Sequence, residues 1–95
     1  MRVEITRVYK ELEYTFYLSE TQLRPHPHLP GEQYLPEDLY VRFERRPGEG
    51  WKAHAITLGG RKKSNQFLAS ESFHTVDDLP AEYRAIVLDH MPEED

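Results

Sequence analysis

Apolar and polar residues alternate most regularly in the middle of the chain. Leu39, Val41 and Phe43 are separated by Tyr40, Arg42 and Glu44. A period of two places alternate side chains on opposite faces of a half-buried strand. A second run, Trp51-Lys52-Ala53-His54-Ala55-Ile56-Thr57-Leu58, follows the turn signal Arg46-Pro47-Gly48-Glu49-Gly50. Two runs around a Pro/Gly turn predict a β-hairpin. Gly59-Gly60 is expected to end its second strand. A polar loop over 61–65 and a short strand over 66–70, extending toward Phe73, should follow.

The N-terminal segment carries a similar pattern. Leu12, Tyr14, Phe16 and Leu18 alternate, and Val3, Ile5, Thr6, Val8, Tyr14, Thr15, Phe16 and Tyr17 are mostly β-branched or aromatic. Such residues pack well on a pleated surface. Strands over 2–9 and 12–19 with a tight turn at Lys10-Glu11 are the preferred reading. Ile5, Val8, Tyr9, Leu12 and Phe16 also keep helical spacing, so a single helix is the alternative. Residues 20–38 contain Pro25, Pro27, Pro30 and Pro36. Proline fixes φ and donates no hydrogen bond, which predicts a long loop there. So long a loop in a small domain is either functional or packed by its own Leu23, Leu29, Tyr34 and Leu35.

Near the C-terminus the period changes. Leu79, Tyr83, Ile86, Val87 and Met91 share one face of a helix. Thr75 and Asp78 have capping-box spacing, Pro80 suits a first helical turn, and Pro92 stops the helix. Asp77, Asp78 and Glu82 sit where the helix dipole favours anions. The whole reads as one α+β domain over 1–92, followed by an acidic tail over 93–95. The expected architecture is an antiparallel sheet of four to five strands in two hairpins, with one C-terminal α-helix packed on a face.

Composition narrows the chemistry. The 95 residues include no Cys, which excludes disulfides, thiolate metal sites and a Cys nucleophile. No apolar run nears the roughly 20 residues a membrane span needs, and the N-terminus lacks a signal-peptide core. A cytoplasmic protein without membrane contact is expected. The net charge of −5 is unevenly spread. Residues 42–63 hold seven bases against Glu44 and Glu49, net +5, and residues 75–95 hold seven acids against Arg84, net −6.

Each candidate site has a plainer explanation beside it. His26-Pro27-His28 places two imidazoles on one side of an extended chain, a possible metal pair needing two further ligands from His54, His74 or a carboxylate. The plainer reading is a solvated proline-rich loop. Arg45, Arg46, Arg61, Lys62 and Lys63 could touch phosphates, with Trp51, Tyr40 or Phe67 stacking on bases. The acidic helix argues against this unless it lies on the far side. Gly59-Gly60-Arg61-Lys62-Lys63-Ser64 is no phosphate loop, since Gly does not directly precede the Lys. Trp51 reads as core packing, or as an interface anchor if exposed. Ser19, Ser64, Ser70 and Ser72 lie in no nucleophile motif, and nothing sets a carboxylate beside His54 or His74. A non-enzymatic protein without a cofactor is therefore expected. Its acidic helix and tail could alternatively mimic nucleic acid.

The run from Phe73 to Arg84, FHTVDDLPAEYR, together with Glu13-Tyr14-Thr15-Phe16-Tyr17 and the stretch Arg24-Pro25-His26-Pro27-His28-Leu29-Pro30, resembles small hypothetical proteins of actinobacteria and their phages. The resemblance implies an accessory protein of phage or mobile-element type that binds a host protein. It assigns no residue a role. The candidate partner surface is the loop 23–36 with the hairpin tip 45–51, centred on Tyr34, Arg45, Arg46 and Trp51. Exposed sheet edges make a homodimer the other expected association.

Overall fold

The computed structural model describes residues 1–62 and 68–93. The strands are β1 (Arg2–Val8), β2 (Glu11–Tyr17), β3 (Arg24–Pro25), β4 (Gln33–Arg46), β5 (Gly50–Lys62) and β6 (Leu68–Phe73). A 3-10 turn (Val76–Asp78) then leads to α1 (Ala81–Asp89). The α+β expectation holds. All strand pairs are antiparallel in the order β1-β2-β4-β5-β6, with two-residue β3 also pairing with β4. Residues 2–17 form a hairpin rather than a helix. Its turn lacks Gly, so Lys10 adopts the left-handed conformation, with φ of 61°.

The loop expected over 20–38 is replaced in part by strands, at 24–25 and 33–38. β4 is 14 residues long and runs through Pro36. This is possible because Pro36 lies between the part of β4 that pairs with β3 and the part that pairs with β2. The register also shifts between Pro36 and Asp38. A bulge is one of the few places where a sheet tolerates proline. Gly59 and Gly60 do not end β5 but continue it. A Cβ on Gly60 would stand 2.1 Å from the Leu35 carbonyl oxygen, so only glycine allows this approach.

Two bulges set the faces of the sheet. Pro36 pairs with Gly60 and Asp38 with Gly59, leaving Glu37 as an extra residue in β4. Arg42 pairs with Ala55 and Phe43 with Ala53, leaving His54 as an extra residue in β5. Each extra residue reverses the odd/even pattern. Even-numbered Tyr34 and Pro36 thereby join odd-numbered Leu39, Val41 and Phe43 on the buried face. Trp51 and Ala53 likewise join Ile56 and Leu58.

The helix closes the core over one end of this face. It contributes Tyr83 and Val87, and the turn before it Leu79, to a cluster with Phe16, Leu39, Val41 and Leu58. Burying each large apolar side chain contributes about 1.5–3 kcal/mol. The helix begins after Pro80, which precedes it in an extended conformation, and Thr75 makes no side-chain cap. Residues 75–79 form the separate 3-10 turn instead of a capping box. At the far end His90 Nδ1 donates to the Ile86 carbonyl at 2.7 Å, and its ring lies 5.2 Å from that of Phe16. The domain measures 45 × 23 × 23 Å, elongated along the β4–β5 hairpin.

Candidate functional site

Antiparallel order brings the two hairpin turns to the same end of the molecule. The β1–β2 turn lies beside the β4–β5 turn because β2 pairs with β4, with Glu11 opposite Glu44. The Arg45 amide even approaches the Lys10 carbonyl at 3.5 Å. Between these turns lies a cleft of about 470 Å3 lined by Arg7, Lys10, Arg45, Pro47 and Trp51. This volume falls in the usual range for ligand sites, about 300–1,000 Å3.

Register explains why these side chains converge. Arg45 is opposite Trp51, so both share a face. Arg7 is opposite Leu12, and Leu12 opposite Phe43, which puts Arg7 on that same face. The Arg45 guanidinium lies 6.0 Å from the centre of the Trp51 ring, at the outer limit of a cation–π contact. Trp51 is half-buried and packs against the core. It thus has an inner side in the core and an outer side on the cleft. The Lys10 ammonium lies 5.2 Å from the exposed Tyr9 ring. Burial raises the Tyr14 pKa, while the charge of Arg7 opposes that rise.

Several bases are paired with acids. Arg42 pairs with Glu11 at 3.2 Å and Glu13 at 3.0 Å, and Arg46 with Glu44 at 3.6 Å. Lys52 pairs with Glu49 at 3.7 Å and Arg61 with Glu37 at 2.9 Å. Among the described residues, no carboxylate pairs with Arg7 or Lys10.

The expected site residues are therefore divided. Arg45 and Trp51 are together. Arg46 belongs to the opposite face, as the next residue along the strand. Tyr34 is a correction: it is fully buried, and its hydroxyl donates to Glu71 Oε2 at 2.6 Å. It cannot offer a surface contact. Arg61 and Lys62 lie at the far end of β5, where Lys62 pairs with Tyr34. Ten residues at about 3.3 Å each separate Arg61 from Trp51 along the strand. Of the polar loop expected over 61–65, Arg61 and Lys62 instead continue β5, and the remainder lies outside the described residues with Lys63 and Phe67. Arg7 and Lys10 went unrecognised in the sequence, although two adjacent antiparallel hairpins could have signalled that their turns meet.

The proline-rich segment is built differently from a metal site. His26 Nδ1 accepts the amide N–H of His28 at 3.0 Å and of Leu29 at 3.1 Å. One nitrogen of His26 is thereby used in holding the turn. The two imidazoles have centroids 6.1 Å apart. Among the described residues, no group of three His, Asp or Glu is placed to hold a metal ion.

Arg24, Tyr34 and Glu71 form a second polar cluster. Arg24 donates to both Glu71 oxygens, at 3.1 and 3.0 Å. Burial pushes the Glu71 pKa upward, but the hydrogen bonds from Arg24 and Tyr34 and the Arg24 charge outweigh it, so the pKa falls. Tyr34 is shifted up by burial and by its bond to Glu71. The cluster ties β3, β4 and β6 together.

Among the described residues, no helix is long and apolar enough to cross a membrane. No family model, curated protein or solved structure matches the chain.

Proposed function

We propose that this is a small non-enzymatic binding protein that recognises a protein partner through the cleft at its hairpin tips. One observation carries the reading: Arg7, Lys10 and Arg45 converge around Trp51. Cations around an aromatic floor supply charge attraction and an apolar anchor together, and Trp and Arg are enriched at interface hot spots. The uneven charge of the chain would orient an approaching partner and raise the on-rate. The accessory role of phage or mobile-element type belongs to this reading.

Nucleic-acid binding through Arg45, Arg46, Arg61, Lys62 and Lys63 is the alternative. Double-stranded DNA carries one charge per about 1.7 Å of axis and rewards a continuous basic track. Here Arg45 and Arg61 stand at opposite ends of the β4–β5 hairpin, while Glu44 and Glu49 flank the tip. The protein reading fits this discrete patch better. Metal binding at His26 and His28 is weakened by the use of His26 Nδ1 within its own turn.

The test is photo-crosslinking in the native cells. The reactive residue is placed at position 47 in the cleft and, as a control, at position 72 on the open sheet face. Protein adducts from position 47 alone are expected. Nucleic-acid adducts from position 47 would transfer the assignment to the alternative. Adducts from neither position, or equally from both, would overturn it.

A further inference from the structure

Resting on that reading of the cleft, we infer that its ligand is a short acidic segment of a protein with one large apolar side chain among its carboxylates. Charge defines the first requirement. Arg7 and Lys10, with which no carboxylate among the described residues pairs, line a single cleft, and its base-rich end belongs to an otherwise acidic chain. A carboxylate satisfies a guanidinium with paired hydrogen bonds and an ammonium with a point charge.

The apolar requirement comes from the floor. Trp51 and Pro47 line the cleft, and polar/apolar recognition needs both of its components filled. Ile5 extends the apolar surface on the same face, two residues before Arg7, and is 58% exposed. A ligand carrying only charge would leave this surface in water. A large aliphatic or aromatic side chain would cover it while its acidic neighbours reach the rim.

The turn supplies an independent observation. A residue with positive φ in a tight hairpin turn is ordinarily Gly, Asn or Asp. This chain has Lys10 at φ 61°. A long side chain in a conformation that disfavours side chains is a local departure of the kind found at functional sites. Here that residue lines the cleft.

The short length follows from the surroundings. Glu44 and Glu49 bracket the tip, and the bases outside the cleft at Arg42, Arg46 and Lys52 already have acidic partners. A long polyanion would leave the cleft and meet bases that already have acidic partners. A segment of a few residues would not.

Trp51 is the only tryptophan in the chain, so its emission reports on the cleft directly. The experiment titrates the intact protein with three probes of about ten units each. One is an Asp/Glu-rich peptide with a central Phe, the second replaces that Phe with Ser, and the third is oligothymidylate. The Phe peptide should give a saturable change in emission, with affinity about tenfold above the Ser peptide. Added salt should weaken it. Arg7→Glu and Lys10→Glu, both at exposed positions, should each lower affinity about tenfold. Lys52→Ala should leave it unchanged. Circular dichroism of each variant confirms the fold.

No saturable change with the Phe peptide, equal affinity for both peptides, or tighter oligothymidylate binding would each overturn the inference. If position 47 still captures a protein in cells, the cleft reading stands and only this ligand chemistry fails. If neither experiment gives binding at the cleft, both fail.

Discussion

Tyr34 and Glu71 are 37 residues apart in sequence, yet the Tyr34 hydroxyl donates a 2.6 Å hydrogen bond to the Glu71 carboxylate. The bond spans β5 where Gly60 contributes no side chain. Arg24 completes the arrangement from β3 by binding both Glu71 oxygens. A residue read from sequence as a surface contact is thus a structural strut. Glu71→Ala leaves a buried phenol and a largely buried guanidinium without their acceptor. The expected loss is about 2–3 kcal/mol, with Tyr34→Phe losing about 1 kcal/mol. Urea denaturation of the two variants and of the double variant checks both values and their coupling.

The same carboxylate sets an acid limit. The folded-state pKa of Glu71 is lowered, so its stabilising contribution is complete above the unfolded-state value of about 4.3 and disappears as pH falls through the lowered folded value. Asp38 has the opposite sign. Burial and then the neighbouring Glu37 charge raise its pKa, so it favours the fold at low pH and loses that effect as pH rises through the raised value. Acidification from about pH 5 to about pH 3 should therefore destabilise Glu71→Gln less than the native protein and Asp38→Asn more. Thermal melts across that window measure both slopes.

The adjacent glycines should differ sharply. A Cβ on Gly60 meets the Leu35 oxygen at 2.1 Å and its carbonyl carbon at 2.8 Å, both backbone atoms that cannot rotate away. A Cβ on Gly59 meets Asp38 Oδ1 at 2.7 Å, the end of a side chain that can move. Gly60→Ala should lose about 3 kcal/mol or fail to fold, whereas Gly59→Ala should lose about 1 kcal/mol or less. Chemical denaturation midpoints separate them.

His54 tests the facing of the hairpin tip. Its deletion removes the extra residue between Ala53 and Ala55, so strict alternation alone then keeps Trp51, Ala53 and Ile56 on one face with their β4 partners unchanged. Trp51 should keep the face it shares with Arg45 and its native emission. One alanine inserted after His54, with the bulge kept, should instead turn Trp51 to the other face, move its emission to longer wavelength and cost about 2 kcal/mol from the exposed tryptophan. His54→Ala keeps the residue count and should preserve the native emission. Fluorescence of the three variants distinguishes facing from any role of the imidazole itself.

Much of this domain was legible in local pattern. Leu39, Val41 and Phe43 alternate as a strand must, and Pro47-Gly48 marks the turn. Leu79, Tyr83 and Val87 repeat at the spacing that gives a helix one apolar side. These signals survive because they need only the geometry of a single element. The longer extent of β4 was hidden because Pro36 is compatible with a sheet only at an irregularity, and an irregularity exists only relative to a partner strand. The continuation of β5 through Gly59-Gly60 was hidden likewise, since two glycines look like a strand end until another backbone lies against them.

The sequence alone therefore determined the α+β class, the two hairpins, the C-terminal helix and the separation of basic and acidic stretches. Tertiary structure decided which residues meet. Pairing created the bulges at Glu37 and His54, and those bulges assigned Tyr34 to the interior and Trp51 to the face of Arg45. Pairing of β2 with β4 then brought Arg7 and Lys10 from one turn to Arg45 and Trp51 at another. Local periodicity states which side chains alternate, but a face acquires neighbours only when strands fix their register.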